Sequence, residues 1–228
     1  MAELSYAPKK LADRLTAKIG KMKMRVFLDV GAHIGQTLEE VIKEEWGFDL
    51  IYSFEPMPGE FAKLSEKFGK LRNVRLFNYG LLDRTEELPM YGANDGMEAT
   101  VLPDMSTIHH PEKVTMCRFV EARAFIDSIP QEEGIILKLN CEGSEVAILD
   151  NLIDTGRIGR IFYAMIDPDY RHMPRGMEEI HRVLDRLKDV GFDRYFMCDE
   201  VMIGPTHQER TANWLRKIPW PVTGKGYM

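Results

Sequence analysis

The ten residues 27–36, FLDVGAHIGQ, constrain this chain more than any other stretch. An apolar run suited to a buried strand meets Gly31 and Gly35, and a helical pattern follows. In an open α/β sheet, ligands sit beyond the carboxyl ends of the strands, so a strand that turns through glycine into a helix marks a ligand cradle. Gly31 permits a tight turn, and Gly35 lets the helix start close to the strand or the ligand.

The rest of the chain repeats this strand-then-helix alternation. Apolar strands are predicted at 25–30, 50–55, 74–79, 135–140 and 161–166, with helices at 36–46, 59–68, 145–152 and 177–190. Alternation of this kind implies an α/β fold with a mostly parallel sheet and helices on both faces. Residues 194–198 and 201–203 look like two consecutive strands around Asp199-Glu200, which predicts an antiparallel hairpin at one sheet edge. Pro89, Gly92, Gly96, Pro103 and Pro111 break the rhythm, so 86–118 reads as an irregular insert with one or two short strands.

The main domain is therefore expected over 25–204. Residues 1–24 read as a helical extension, with Pro8 suited to a first turn, Leu11, Leu15 and Ile19 on one face, and Gly20 ending it. Thr206 and Glu209 form a capping box that opens a final helix within a C-terminal segment, 205–228.

Bulk properties remove several classes of function. A net charge of -6 disfavours a role built on phosphate neutralisation, and so a nucleic-acid partner. The N-terminus lacks the basic-then-apolar layout of a signal peptide, and no apolar run approaches the ~20 residues needed to span a bilayer. Cys117, Cys141 and Cys198 have neither a metal-type spacing nor a disulfide framework, which points to a reducing, cytoplasmic compartment and to no metal centre. The oligomeric state is left open.

Two familiar ligands fail at the glycine turn. A phosphate-binding P-loop needs a lysine after its last glycine, and none follows Gly35. A dinucleotide fingerprint places glycine two residues after the first, where this chain has His33. What remains is an acid, Asp29, just before the turn, and a second acid, Glu55, at the end of the next strand, twenty residues after Gly35. Two carboxylates without a pyrophosphate site suit a cationic, phosphate-free nucleoside, and S-adenosylmethionine is such a ligand. Glu55 can accept hydrogen bonds from both ribose hydroxyls.

Three segments in order, FLDVGAHIG, YSFEP and ILKLNCEGSE, resemble the FkbM-type S-adenosylmethionine-dependent methyltransferases, whose corresponding segments read D-V-G-A-N-x-G, F-E-P and L-K-I-D-x-E-G-A-E. The resemblance covers about residues 25–152. It implies a Rossmann-like class I methyltransferase fold, with a seven-stranded, mostly parallel sheet and an antiparallel C-terminal hairpin. It also implies O-methylation, often of a sugar or a glycosylated natural product. Asp29, Gly31, Gly35 and Glu55 match the cofactor positions, with Ala32, His33 and Pro56 beside them. The loop at 78–82, with Gly80 and Leu81, is then expected near the adenine. Two positions depart from the pattern: His33 stands in place of asparagine and Asn140 in place of aspartate.

Methyl transfer needs alignment of acceptor, methyl and sulfur, and a hydroxyl acceptor also benefits from a base. Lys138, Asn140 and Glu142 alternate at the end of the fourth core strand. Lys138 needs an acidic partner there, either Glu142 or an acid on a neighbouring strand. Asn140, also counted with the cofactor residues, and Glu142 are candidates to orient the acceptor, against a purely structural role. His109 and His110 are the candidate bases. Arg182 and Arg186 offer a basic edge or a solvated helix face. An N-methyltransferase of protein or nucleic acid, a nicotinamide oxidoreductase and a non-catalytic domain of this fold are the alternatives.

Overall fold

The computed structural model describes residues 24–92, 99–104, 112–131 and 134–219. The expected N-terminal helix, the candidate bases His109 and His110, and the tail after 219 lie outside those residues.

Nine strands are described, in chain order: β1 (Arg25–Val30), β2 (Leu50–Phe54), β3 (Val74–Phe77), β4 (Gly80–Leu82), β5 (Glu86–Tyr91), β6 (Val114–Glu121), β7 (Gly134–Leu139), β8 (Ile161–Ile166) and β9 (Tyr195–Met197). The helices are α1 (Leu38–Val41), α2 (Pro58–Phe68), α3 (Ala122–Ser128), α4 (Glu145–Asp154), α5 (Gly176–Asp189), α6 (Cys198–Val201) and α7 (His207–Lys217).

Six strands form the main sheet in the order β3-β2-β1-β7-β8-β9, and every neighbouring pair is parallel. Parallel strands covered on both faces are expected to be apolar throughout, and β7 is buried at all six positions. The chain steps outward from β1 to β3 and returns to β7 on the other side of β1. The strand order therefore reverses at the carboxyl ends of β1 and β7, where a ligand crevice forms.

Alternate side chains on the central strands feed two cores. On one face Leu28, Val30, Leu137 and Leu139 pack against α3, α4 and α5 through Ile126, Leu149, Val183 and Leu187. On the other face Phe27, Ile51, Ile136 and Phe162 meet Leu38 and Val41 of α1, Leu64 and Phe68 of α2, and Trp214 and Leu215 of α7. Each fully buried large side chain contributes roughly 1.5–3 kcal/mol, so both cores are needed to hold the sheet.

Three expectations are corrected. The main sheet has six strands among the described residues, not seven, and the antiparallel hairpin is absent from them. β9 runs parallel to β8, and 198–201 are helical. The alternation of Val201 and Ile203 imitates a strand, but the Glu200 carboxylate accepts the Met197 N–H and starts a helical turn, while Val201 packs into the α7 core. The helix expected at 36–46 is interrupted. It forms as α1 and a 3₁₀ turn, Glu44–Trp46, because Lys43 is extended between them and Gly47 closes the turn at φ +62°.

The region read as an irregular insert carries β5 and the longer β6, which join β4 in a separate three-stranded sheet in the order β4-β6-β5. α3, which follows it directly, carried no strong sequence signal. On α5, Arg182 pairs with Asp150 and Glu179, and Arg186 pairs with Asp150 and Asp154, so this edge is an acid-neutralised helix face.

Candidate functional site

A cleft of about 200 Å³, open to solvent, lies over the carboxyl ends of β1, β2 and β7. Its floor is the glycine turn. Gly31 sits at φ +80°, and a Cβ there would fall 1.8 Å from the Asn140 carbonyl oxygen, so only glycine lets these backbones touch. The N–H groups of Gly31 and Ala32 both donate to the Phe54 carbonyl, at 3.1 and 3.0 Å, which ties the turn to the end of β2. Ala32 and His33 line the cleft. His33 is left-handed at φ +50°, its Nδ1 lies 3.2 Å from Gln36 Oε1, and its Nε2 is buried with no hydrogen-bond partner among the described residues.

Gly35 does different work from the one expected. It does not line the cleft; a Cβ there would lie 2.3 Å from the Phe68 ring and 2.9 Å from Leu64. Its missing side chain lets α2 pack against the turn.

Glu55 lines the cleft and is only 6% exposed. Its Oε2 accepts the His33 N–H and its Oε1 accepts the Met57 N–H, both at 2.8 Å. Each oxygen keeps further acceptor capacity for a ligand. Burial pushes the carboxyl up to about 7, although those two N–H groups pull it down. Pro56 lines the cleft beside it, held by Asn78, whose side-chain amide donates to the Glu55 and Pro56 carbonyls at 2.9 and 3.1 Å.

Asp29 is placed behind the cleft wall and does not line it. It is fully buried and faces Lys138 across the β1–β7 ladder, with Nζ 3.0 Å from Oδ1. Burial raises the Asp29 pKa, and Lys138 opposes that rise. Lys138 Nζ also donates to the Gly31 carbonyl at 2.6 Å and lines the cleft. The partner of this buried lysine is thus the acid on the neighbouring strand and not Glu142. The pair holds the glycine turn from beneath.

The third wall is the loop after β7. Asn140 lines the cleft and donates from its side-chain nitrogen to Asp167 Oδ2 at 3.0 Å. Glu142, at φ +52°, lines the cleft too, and its carbonyl accepts the Thr100 hydroxyl. The fully buried Glu145 fixes this loop, accepting the Cys141 N–H at 2.7 Å and the Gly143 N–H at 3.0 Å. Burial pushes the Glu145 carboxyl up to about 7.

At the other end the lining turns apolar. Gly80 and Leu81 of β4 face Met57, Met90, Ala99 and Phe119, and a Cβ on Gly80 would lie 2.4 Å from the Phe119 ring. The small sheet, with Met57 and Ala99 beside it, therefore builds an apolar wall at this end of the cleft. Four of these residues, Met57, Met90, Ala99 and Phe119, escaped sequence reading, because β4 meets β6 only through residues about forty positions apart. Thr37 and His207 also line the cleft and were missed. Their contact, Thr37 Oγ1 to His207 Nε2 at 3.1 Å, spans 170 residues. The Thr206–Glu209 capping box was the available signal, since it fixes where α7 begins.

No group of three or more histidine, cysteine or acidic side chains among the described residues is arranged to hold a metal. No described helix is long and apolar enough to cross a membrane.

The parallel sheet, with a cleft over the carboxyl ends of its central strands, defines an α/β domain. The model of the FkbM methyltransferase domain matches residues 29–194, and the chain belongs to that family. A methyl donor of the S-adenosylmethionine type is implied by that membership. Among solved structures, the methyltransferase FkbM from Methylobacillus flagellatus KT is similar over 74% of this chain at 16% identity, with a TM-score of 0.47. The present chain spans 39% of that protein's length. A precorrin 8w decarboxylase from Methanobacterium thermoautotrophicum is 14% identical over 83% of this chain and 75% of its own (TM-score 0.34). A precorrin-6y C5,15-methyltransferase from Geobacter metallireducens GS-15 is 13% identical over 82% of this chain and 75% of its own (TM-score 0.31). No curated protein matches the chain.

Proposed function

We propose that this chain transfers a methyl group from S-adenosylmethionine to a hydroxyl of a saccharide or a glycosylated small molecule. The observation that carries the cofactor assignment is Glu55. Its two oxygens are each held by one backbone N–H, at the rim of a cleft whose glycine turn lies beside them. That arrangement fits a ribose diol, and the apolar wall of Leu81, Met90 and Phe119 fits the adenine. Gly31, Ala32 and His33 would pass under the sulfonium and the methionine chain, with Pro56 and Gly80 beside the nucleoside. Asp29 acts from behind, through Lys138.

The acceptor is assigned to the polar end of the cleft. Asn140 and Glu142 orient the hydroxyl, and Glu142, His109 and His110 are the candidate bases. The bound cofactor supplies a methyl carbon already activated by the sulfonium. With that cofactor bound, Asn140 and Glu142 would align the acceptor oxygen with the methyl group, and the base would take the hydroxyl proton as the methyl group leaves the sulfur. Positioning accounts for most of the rate. The Asn140–Asp167 hydrogen bond fixes the Asn140 amide, so its carbonyl oxygen is the end available to accept from a hydroxyl.

Incubation with methyl-labelled cofactor and two acceptor panels, one of saccharides and one of amine-bearing peptides and nucleotides, tests the reading. Label recovered as a methoxy group on a saccharide is the expected result. Label recovered only as N-methyl would overturn the acceptor class while leaving the cofactor assignment intact.

A further inference from the structure

His207 lies thirteen residues beyond the matched domain, which ends at residue 194, yet its side chain lines the cleft. It is the first residue of α7, which docks on α1. Trp214 and Leu215 pack with Leu38 and Val41, and the Gln208 amide donates to Glu39. The capping box on Thr206 fixes where the helix starts and so where the ring is carried. The hydrogen bond to Thr37 engages Nε2 and leaves Nδ1 for a ligand.

Beside His207 the cleft lining offers the Thr37 hydroxyl and the Lys138 ammonium, while the acids that act on its ring, Asp29 and Glu39, do not line the cleft. Lys138 already serves the Gly31 carbonyl and Asp29. Glu55 and the apolar wall occupy the nucleoside end, so this corner is left for the amino-acid end of the cofactor. Of the two charged groups there, the ammonium seeks acceptors and the carboxylate seeks donors.

We propose, resting on the cofactor reading above, that His207, its ring oriented by the Thr37 hydroxyl, donates from Nδ1 to the α-carboxylate of S-adenosylmethionine, so that the C-terminal helix completes the cofactor site. His207 selects the intact amino-acid end of the cofactor and takes no proton in the transfer.

Three ligands separate this role from a structural one. S-adenosylmethionine carries both ammonium and carboxylate, decarboxylated S-adenosylmethionine keeps only the ammonium, and methylthioadenosine has neither. Calorimetric titration of His207→Ala should show S-adenosylmethionine weakened about tenfold, the scale of one lost hydrogen bond to a charged group, with the other two within twofold of the parent protein. His207→Gln, which keeps a donor, should recover most of the loss. An equal loss for all three ligands, or no loss for S-adenosylmethionine, would overturn the assignment. Failure of the parent protein to bind any of the three would instead remove the cofactor reading itself.

Discussion

Lys138 stands between Asp29 and the carbonyl of Gly31, 3.0 Å from the first and 2.6 Å from the second. A buried cation on β7 thus connects the acid that precedes the glycine turn to the turn itself, and the acid that looked like a ligand contact in the sequence serves as a support.

Replacing Lys138 by methionine removes that connection and strands a buried carboxylate. Breaking a buried pair from one side costs about 3–5 kcal/mol. Chemical denaturation of Lys138→Met should show a loss of that size. The double variant Asp29→Leu with Lys138→Met should be more stable than the single one, because no uncompensated charge remains. A single variant within about 1 kcal/mol of the parent would show that the pair does not support the fold.

Glu55 sets a pH dependence with a defined sign. Its carboxyl is pushed up to about 7 by burial, so the free protein holds a proton there that the unfolded chain releases at the ordinary value of 4.5. Its contribution to stability is fully present below 4.5 and lost as pH rises through about 7. Ribose hydroxyls donate best to the ionised form, so cofactor affinity should run the opposite way, weakening as pH falls through about 7. Titrations from pH 5.5 to 8.5 check this, and Glu55→Gln should flatten the profile.

The two glycines of the turn should respond differently to alanine. In Gly31→Ala the new Cβ meets backbone, 1.8 Å from the Asn140 oxygen, and cannot be accommodated without moving the cleft floor. Cofactor affinity should fall at least about tenfold and stability by more than about 1 kcal/mol. In Gly35→Ala the Cβ meets the side chains of Phe68 and Leu64, outside the cleft. Stability should fall by about 1–3 kcal/mol, with the smaller loss of affinity. Paired denaturation and binding curves distinguish the two.

The parts of the site that were legible in the sequence are those built from local signals. The turn at Gly31, the strand-end acid Glu55 and the segment from Lys138 to Glu142 each combine an apolar run with a break. Parallel pairing of buried strands then brings them together at one end of the sheet. What escaped depends on distant pairings. The apolar wall exists because β6 runs between β4 and β5, and His207 reaches the cleft because Trp214 and Leu215 seat α7 on α1. That Asp29 lies behind the cleft was not legible, because residue type alone does not say which way a buried acid faces. Its register partner, Lys138, decides that. The expected hairpin failed for a local reason, the Glu200 bond to the Met197 N–H, which makes a helical turn of residues whose apolar spacing also suits a strand.

Calorimetric titration of the intact chain with S-adenosylmethionine, and in parallel with NAD, bears most directly on the proposed cofactor. One S-adenosylmethionine bound per chain is expected, weakened by about 1–3 kcal/mol in Glu55→Ala, with no comparable heat from NAD. Absence of binding, tighter binding of NAD, or an unchanged affinity in Glu55→Ala would contradict it.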